Sequence, residues 1–576
     1  MTVPRIVRRA VPPAHALPSN LHPVVCRVLA ARGIDRPELL DTTLKGLLRP
    51  EQLGGLEVAV SLLCEALKAS RRICIVADYD ADGATSCALA LRALRALGAT
   101  AVDFVVPDRQ RFGYGLTPPI VELALEKRAE VLVTVDNGIA SFEGVAAAKA
   151  AGLTVIVTDH HLPGATLPAA DAIVNPNARG DEFPSKALAG VGVIFYVMVA
   201  LRARLRDEGW FSARALPEPN FASLLDLVAL GTVADVVPLD LNNRRLVAQG
   251  VKRIREGQCA PGITALIRVA KRDPAKLGTS DLGFAVGPRL NAAGRLRDMA
   301  VGINLLTSDD PAECWRIAGE LNEINLTRRD IELDMKTQAL AVVEARLAAA
   351  GASMPAGICL YDETWHQGVV GILASRIKEL YHRPVIAFAP GEAQEIKGSA
   401  RSIPGVHIRD VLDAIATQNP GLLGRFGGHA MAAGLSLRAA DLPRFEQAFA
   451  MHVARVADPA ALERLLLSDG ELGPEDFTLD LAHALARASP WGQGNPPPLF
   501  DGEFVVRDLR LVGERHLRLS LDGPGGLSVN GIAFGAAEAD WALRGQRIHL
   551  AYRLEANEWN GTESLQLNCE YACRIT

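Results

Sequence analysis

The chain has 576 residues, too many for one hydrophobic core, so roughly two to four domains are expected. Its 49% hydrophobic and 22% charged residues are those of a soluble globular protein, and it contains no charge-free apolar run of about 18 residues that would span a membrane. The formal net charge of −5 argues weakly against a surface coated in basic residues and is compatible with a local basic groove.

The opening stretch, MTVPRIVRRAVPPAHALPSN, is basic and proline-rich but lacks the apolar run of a signal peptide. Its composition predicts a tail laid over the first domain. RICIVA (72–77) then reads as a short buried strand, and ATSCALALRALRALG (84–98) has helical spacing and ends in glycine. TAVDFVVP (100–107), EVLVTVD (130–136) and TVIVTD (154–159) read as further strands. Between the last two, SFEGVAAAKAAG is a helix pattern with Ser141 as its cap. Strand–helix alternation of this kind indicates a parallel, doubly wound sheet. AGVGVIFYVM (189–198) opens with Gly-x-Gly but lacks the third glycine of a dinucleotide site, so close packing of a helix start is the better reading.

Residues 312–350 contain no proline and one glycine, and read as one or two long helices bridging domains. A second α/β block follows: AGICLYDE as a strand, GVVGILASRIKELY as a helix and PVIAFAP as a strand. SPWGQGNPPPLF (489–500) is a rigid entry to a last region of short strands and glycine-rich turns, which predicts a small β-barrel or sandwich. The nine cysteines are scattered, with Cys569 and Cys573 the close pair. That is neither a disulfide framework nor a zinc site, and it suits reduced thiols in a cytosol.

The chemistry gathers at the ends of the first strands. Asp78, Asp80 and Asp82 follow RICIVA, Asp136 ends EVLVTVD, and Asp159, His160 and His161 end TVIVTD. In an open parallel sheet, ligands bind beyond the carboxyl ends of the strands, so these residues share one edge. LVALGTVADVVPLD (227–240) adds Asp235. Taken singly, each aspartate is well explained as a helix or turn cap. As a set they repel one another, and divalent cations would neutralise them. Carboxylates with imidazoles suit Mn²⁺ or Mg²⁺, and there are enough ligands for two ions sharing a carboxylate, an arrangement suited to phosphoryl chemistry.

The strings DYDADG, TVDNG, TDHH and GTVADVVPL resemble the four motifs of the DHH phosphoesterase superfamily, named for the Asp-His-His at 159–161. PDRQRFGYGL (107–116), GPRLNAAGRL (287–296), WHQGVVGILASRIKE (365–379), IKGSARS (396–402) and GRFGGHAMAAGLSL (424–437) extend the resemblance to that superfamily's bacterial single-strand-specific 5′→3′ DNA exonucleases. It runs from about residue 45 to the end. It implies an α/β fold: a parallel-sheet DHH domain joined by a long helix to a smaller α/β DHH-associated domain, plus a C-terminal OB-like β-barrel. The expected boundaries are an N-terminal extension 1–45, the DHH domain 46–260, a helical connector 261–350, the DHH-associated domain 351–455 and the OB-like domain 456–576.

The resemblance also implies roles. One metal falls to Asp80 with Asp78 as helper, the other to Asp82, His160 and Asp235, with Asp136 between them and His161 touching the scissile phosphate. Some superfamily members have a histidine ligand just upstream of the first motif. Here that region is ICIVA, so Asp78 serves instead or one metal is held more weakly. Arg109, Ser399 and Arg401 are expected to form a 5′-phosphate pocket, with Arg289, Arg295 and His429 as further phosphate contacts. Tyr114 and Trp365 are candidate base-stacking surfaces, although for each a place in the core is the simpler explanation. The expected activity is metal-dependent release of 5′ mononucleotides from single-stranded DNA by direct attack of water, in recombination and repair. A RecQ-type helicase and a single-strand-binding protein are expected partners, and a cytoplasmic monomer is the expected form. The alternatives are a DHH phosphodiesterase on short oligonucleotides or cyclic dinucleotides, which would lack the terminal β-domain, and a non-catalytic DNA-binding scaffold, which would lack intact motif carboxylates.

Overall fold

The computed structural model describes residues 4–12, 17–108, 111–349, 354–392 and 394–575. A short strand, β1 (Arg5–Arg8), and the helix Pro23–Ala30 open the chain and pack at its far end, as described below. The first sheet comprises β2 (Ile73–Ala77), β3 (Val102–Val105), β4 (Val131–Val135), β5 (Thr154–Thr158) and β6 (Ala172–Val174). They are ordered β3-β2-β4-β5-β6 and every pair is parallel. β2 and β4 are buried along their whole length, which is why they read as continuous apolar runs rather than alternating ones. Ala77 pairs with Val135 and Val135 with Thr158, so the next residues, Asp78, Asp136 and Asp159, leave the sheet side by side.

One hydrophobic core spans Leu53 to Leu321 and covers this sheet with helices that include Ala81–Ala96, Gly190–Asp207, Leu225–Ala234 and Gly287–Leu296. Residues 261–307, expected as connector, therefore pack with the sheet domain: Ile263, Leu266, Leu290 and Ile303 are wholly buried in its core. The long segment forms a single 39-residue helix, Pro311–Ala349. Cys314, Ile317 and Leu321 anchor its start in the first core, while Met335, Ala339 and Val343 belong to another. A helix buried at both ends in different domains fixes their spacing.

The second domain is a five-stranded sheet of β7 (Ile358–Tyr361), β8 (Val385–Pro390), β9 (Glu395–Arg401), β10 (Phe426–Gly428) and β11 (Ala432–Arg438), ordered β10-β11-β9-β8-β7. Its two faces separate by the period of a strand: Val385, Ala387 and Ala389 face the helix Val370–Tyr381, and Ile386 and Phe388 face Ile408–Gln418 and Leu442–Val456. After β12 (Leu465–Ser468), strands β13 (Phe500–Val512), β14 (His516–Asp522), β15 (Ser528–Ala533), β16 (Arg547–Trp559) and β17 (Thr562–Arg574) close into a barrel in the order β13-β14-β15-β17-β16. Closure removes the free edges that an open sheet of this size would expose. Among the described residues, no helix is long and apolar enough to cross a membrane.

The N-terminal segment is not a tail over the first domain. β1 pairs in parallel with β12, and Val24, Val25, Val28, Leu29 and Ile34 are buried in the barrel's core beside Phe477, Leu481 and Leu485. The apolar stripe of the first helix has its partner at the other end of the chain, which local sequence does not reveal. Arg32 locks this contact. Its guanidinium reaches Asp469 twice, at 2.7 and 2.9 Å, donates to Pro496 O at 2.7 Å, and lies 5.3 Å from the Trp491 ring centroid. With the side chains of Arg32 and Asp469 only 2% and 0% exposed, Arg32→Ala leaves a buried carboxylate with Leu499 N, at 2.9 Å, and the more distant Arg9, at 3.7 Å, as its remaining partners. We expect that change to cost about 2–3 kcal/mol in denaturant unfolding of the barrel module, below the cost of a wholly unpartnered buried charge because Arg9 remains. A loss below about 1 kcal/mol, the range of surface pairs, would show that the pair is not structural.

Candidate active site

The DYDADG loop is shaped by backbone donors. Asp80 caps the helix Ala81–Ala96, its Oδ1 accepting from Asp82 N at 2.9 Å and Gly83 N at 3.0 Å. Asp78 Oδ1 accepts from Tyr79 N at 2.7 Å. Asp82 points the other way, into the N-terminus of Gly190–Asp207, where Gly190 N and Val191 N donate to its two oxygens at 2.6 and 3.0 Å. A helix N-terminus favours a carboxylate there. This is the Gly-x-Gly segment read as close packing. A Cβ on Gly190 would stand 2.5 Å from Asp136 Cβ, so the glycine is required.

Asp136 follows β4 with φ of 62°, a left-handed conformation uncommon for a residue with a side chain and often found where function fixes the backbone. Asn137 braces the strand ends by donating to Val76 O and Val135 O. Asp159 is fully engaged: Oδ1 accepts from His160 N, His161 N and, at 2.7 Å, His161 Nδ1, while Oδ2 accepts from Ile139 N. Its part is to orient His161. Asp235 comes from the C-terminus of the helix Leu225–Ala234, not from a strand.

These residues converge. Asp78, Asp80 and Asp136 form one set, and Asp82, His160 and Asp235 another; in each, one ligand atom per residue lies within 4.8 Å of the others. A third set, Asp136 with His160 and His161, overlaps both. His160 Nε2 stands 3.1 Å from Asp136 Oδ1 and 3.4 Å from Asp235 Oδ2. All three atoms are buried and have no hydrogen-bond partner. Buried polar atoms are rarely left this way, and oxygen and neutral nitrogen donors around a small space suit a divalent cation.

The electrostatics agree. Burial first, and then the neighbouring aspartates, push Asp136 and Asp235 well above the usual carboxylate range and Asp82 to about 7. These groups cannot all be charged without a counter-charge. Burial, with the nearby His161, lowers His160 to about 3, leaving the neutral imidazole a metal ligand requires. Burial opposes charge on His161 too, but the Asp159 hydrogen bond and the surrounding carboxylates outweigh it and raise this ring to about 9.

Other expected residues surround the cluster. Tyr114, 45% exposed, stands edge-on to Tyr79 and His161 at 5.9 and 6.0 Å, and its hydroxyl donates to Asp136 O at 3.3 Å. His429, from the turn after β10, stacks on His161 with centroids 5.5 Å apart, so the second domain reaches the first at this point. Ser399 and Arg401 lie together on β9, Nη1 to Oγ at 3.0 Å. Arg401 pairs with Ala432, whose carbonyl accepts from His429 N at 2.7 Å, which places Arg401 beside the same turn. Arg295 donates to Gly368 O at 3.0 Å, across the two domains. Arg289 lies on the same helix but is turned toward Asn322, away from Arg295's contact. Trp365 is 4% exposed and donates to Gln338 Oε1, so it is core rather than a stacking surface. Arg109 lies outside the described residues.

Several supporting residues carry little sequence signal. Asn291 Oδ1 accepts from Ala81 N at 2.8 Å, tying the first motif to the helix Gly287–Leu296. In that helix, Gly294 lies against Tyr79 O, which a Cβ would meet at 1.7 Å. Asn175 and Asn177 donate to the carbonyls of His161 and His160. The signal that could have found these two is the pair of asparagines in VNPNA after a strand, a pattern that braces turns.

Comparison with known proteins agrees with this architecture. Residues 72–232 match the DHH family, N-terminal domain, residues 350–454 the DHHA1 domain, and residues 468–571 the RecJ OB domain. The chain is thus a DHH-type phosphoesterase carrying an OB module. It is 52% identical over 562 residues to the single-stranded-DNA-specific exonuclease RecJ of Escherichia coli, covering 97% of each chain. It is 50% identical over 570 residues to that of Haemophilus influenzae, covering 98% of each. The crystal structure of RecJ from Thermus thermophilus in complex with Mn²⁺ superposes with a TM-score of 0.81 at 32% identity, over 99% of this chain and 79% of that one. The chain belongs to the RecJ family of single-stranded-DNA-specific exonucleases.

The contact at Gly190 yields a test. Gly190→Ala forces Asp136 or the helix start to move and is expected to destabilise the protein by about 1–3 kcal/mol in denaturant unfolding. At Gly192 a Cβ meets the flexible end of Leu188, at 2.8 Å, so Gly192→Ala is expected to stay within about 1 kcal/mol of wild type. Equal effects at the two positions would contradict this account of the helix start.

Proposed function

We propose that this protein is a divalent-metal-dependent exonuclease that shortens single-stranded DNA from its 5′ end and releases mononucleotides, acting in recombination and repair. The observation that carries this reading is the meeting of Asp136 Oδ1, His160 Nε2 and Asp235 Oδ2, buried and without hydrogen-bond partners, between two further carboxylate groups. Asp78, Asp80 and Asp136 would hold one Mn²⁺ or Mg²⁺, and Asp82, His160 and Asp235 the other. Solved RecJ structures similar to this chain are complexes with Mn²⁺ and with Mg²⁺. When bound, such cations supply Lewis acidity toward a phosphodiester and its attacking water.

The chain's own residues do the rest. Asp159 fixes the His161 ring through Nδ1, and its Nε2, 3.5 Å from the Tyr114 hydroxyl, would donate to a phosphate oxygen of the scissile linkage. His429, stacked on His161, closes the site from the second domain and supplies a further phosphate donor. Beside it, the Arg401 guanidinium and the Ser399 hydroxyl form a site for a terminal 5′-phosphate, with Arg109 as the third member expected from the sequence. Arg295 contacts the backbone near the domain boundary, and Tyr114 offers an exposed ring to a base at the mouth. The barrel suits a single strand held by stacking and charge, which favours this reading over a phosphodiesterase for short oligonucleotides or cyclic dinucleotides. The intact carboxylates favour it over a non-catalytic scaffold. A RecQ-type helicase and a single-strand-binding protein are partners such an activity calls for. The nine free cysteines suit a reducing cytoplasm, and a monomer is the form that the family resemblance implies.

The test is release of label from 5′-labelled single-stranded DNA. EDTA should abolish release and Mn²⁺ restore it. Asp136→Ala should lower the rate by at least about a thousandfold while DNA affinity stays within about threefold. Turnover at a tenth of wild type would contradict the central place given to Asp136. Arg401→Ala should remove the preference for a phosphorylated 5′ end over a hydroxyl end. If wild type and variant show no preference, the pocket assignment fails.

A further inference from the structure

Beyond the site, Phe284 is the most exposed large hydrophobic side chain among the described residues. Phe284 is 86% exposed, although it sits in the middle of the apolar string DLGFAVG. Its backbone, Leu282–Val286, is a π-helical turn leading directly into the helix Gly287–Leu296. Such turns are uncommon and frequent at functional sites. The turn is held against the end of the helix that delivers Asp235: Cβ atoms built on Gly283 and Gly287 would lie 3.3 Å from Val233 Cγ1 and 3.1 Å from Ala234 Cβ. Phe284 therefore follows a residue packed against Val233, two positions before the proposed metal ligand Asp235, and its own ring stands in solvent.

Cationic and apolar groups continue from it. Arg289 Nη1 donates to Ala285 O at 2.6 Å and its Nε to Asn322 Oδ1 at 3.1 Å, both neutral oxygens. Burial, and then the neighbouring charges of Arg329 and Arg272, work against its own charge, a situation an anion relieves. Arg272 is paired with Asp281, at 3.1 Å, whereas Arg329 is exposed. Asn322, Leu326 and Arg329 lie on one stripe of the long helix at spacings of four and three, and Leu326 is 41% exposed.

We infer that Phe284, Arg289, Asn322, Leu326 and Arg329 form a strip that binds the single strand beyond its terminal nucleotide, with Phe284 as a base-stacking platform and the two arginines on phosphates. The inference rests on the exonuclease reading above and adds a determinant of substrate length to it. An exposed ring beside guanidinium groups matches a flexible polyanion with flat apolar faces, and the strip is continuous with the catalytic edge. A strand of two or three nucleotides would end before reaching it.

Binding without turnover and turnover without the strip separate the possibilities. The probes are a 5′-phosphorylated thymidylate strand of about 20 nucleotides, read by fluorescence anisotropy in EDTA, and a thymidylate trimer, read by nucleotide release in Mn²⁺. Phe284→Ala should weaken binding of the long strand about tenfold, and Phe284→Trp should retain it. Both variants should turn over the trimer within about twofold of wild type. Arg329→Ala should lower the slope of log affinity against log salt by about 0.7, the value for one single-strand phosphate contact. Wild-type affinity of Phe284→Ala for the long strand overturns the strip, and so does an equal loss on long strand and trimer. A wild-type protein that binds the strand but releases no nucleotide overturns the exonuclease reading alone, since the anisotropy comparison still judges Phe284. A wild-type protein that does not bind the strand overturns both.

Discussion

Crowding carboxylates at one edge of a sheet is the constraint on which the rest of the structure depends. Asp78, Asp80, Asp82, Asp136 and Asp235 surround one space, and their repulsion would drive them apart if they were free to move. Backbone N–H groups hold several of them in place. Asp80 caps its own helix, Asp82 is received by the start of another, and the neighbouring Asp159 is fixed by the amides of His160, His161 and Ile139. These donors orient the side chains without neutralising the cluster. Asp136 Oδ1 and Asp235 Oδ2 remain turned toward His160 Nε2 with no partner of their own. A site with fixed ligands and missing positive charge is prepared for cations and then for an anionic reacting group.

The same constraint accounts for the wider architecture. The helix Gly287–Leu296 reaches back to the first motif through Asn291 and Gly294, so the loop that bears three aspartates is held from two sides. The 39-residue helix carries the chain to a second domain and is buried at both ends. The distance between the domains is set by a rigid element, which lets the turn after β10 place His429 on His161. The barrel is joined to the chain's own beginning by β1, the first helix and Arg32. Residues from both termini thus share one module, and it is tied to the catalytic region where Leu239 N donates to Gln493 O at 2.7 Å and Thr279 Oγ1 to Trp491 O at 2.6 Å.

Much of the fold was legible because its strands and helices obey simple periods. The continuous apolar runs of β2, β4 and β5 signalled a sheet buried on both faces, and the spacing of residues 84–98 signalled its helix. β6, with three residues, is too short to leave such a signal, and β9 carries glycine and serine where a strand pattern would have apolar residues. Ser141 stands at the N-cap position as expected, yet its side chain makes no capping hydrogen bond. Trp365 and Tyr114 offered equal signals in sequence, and burial separated them into a core residue and an exposed one.

The sequence by itself determined which residues reach the carboxyl edge of the first sheet, because strand period and strand end follow from local pattern alone. It also supplied the divalent character of the site, since that depends on the kind and number of side chains. The tertiary structure decided what each aspartate does. Asp159 became an orienting group and Asp235 arrived from a helix end, because hydrogen-bond partners from distant elements set those roles. It likewise decided that the N-terminal helix belongs to the barrel, that Gly190 and Val191 hold Asp82, and that Phe284 remains in solvent. Such pairings join segments far apart in the chain, and no local period encodes which buried surface a segment will meet.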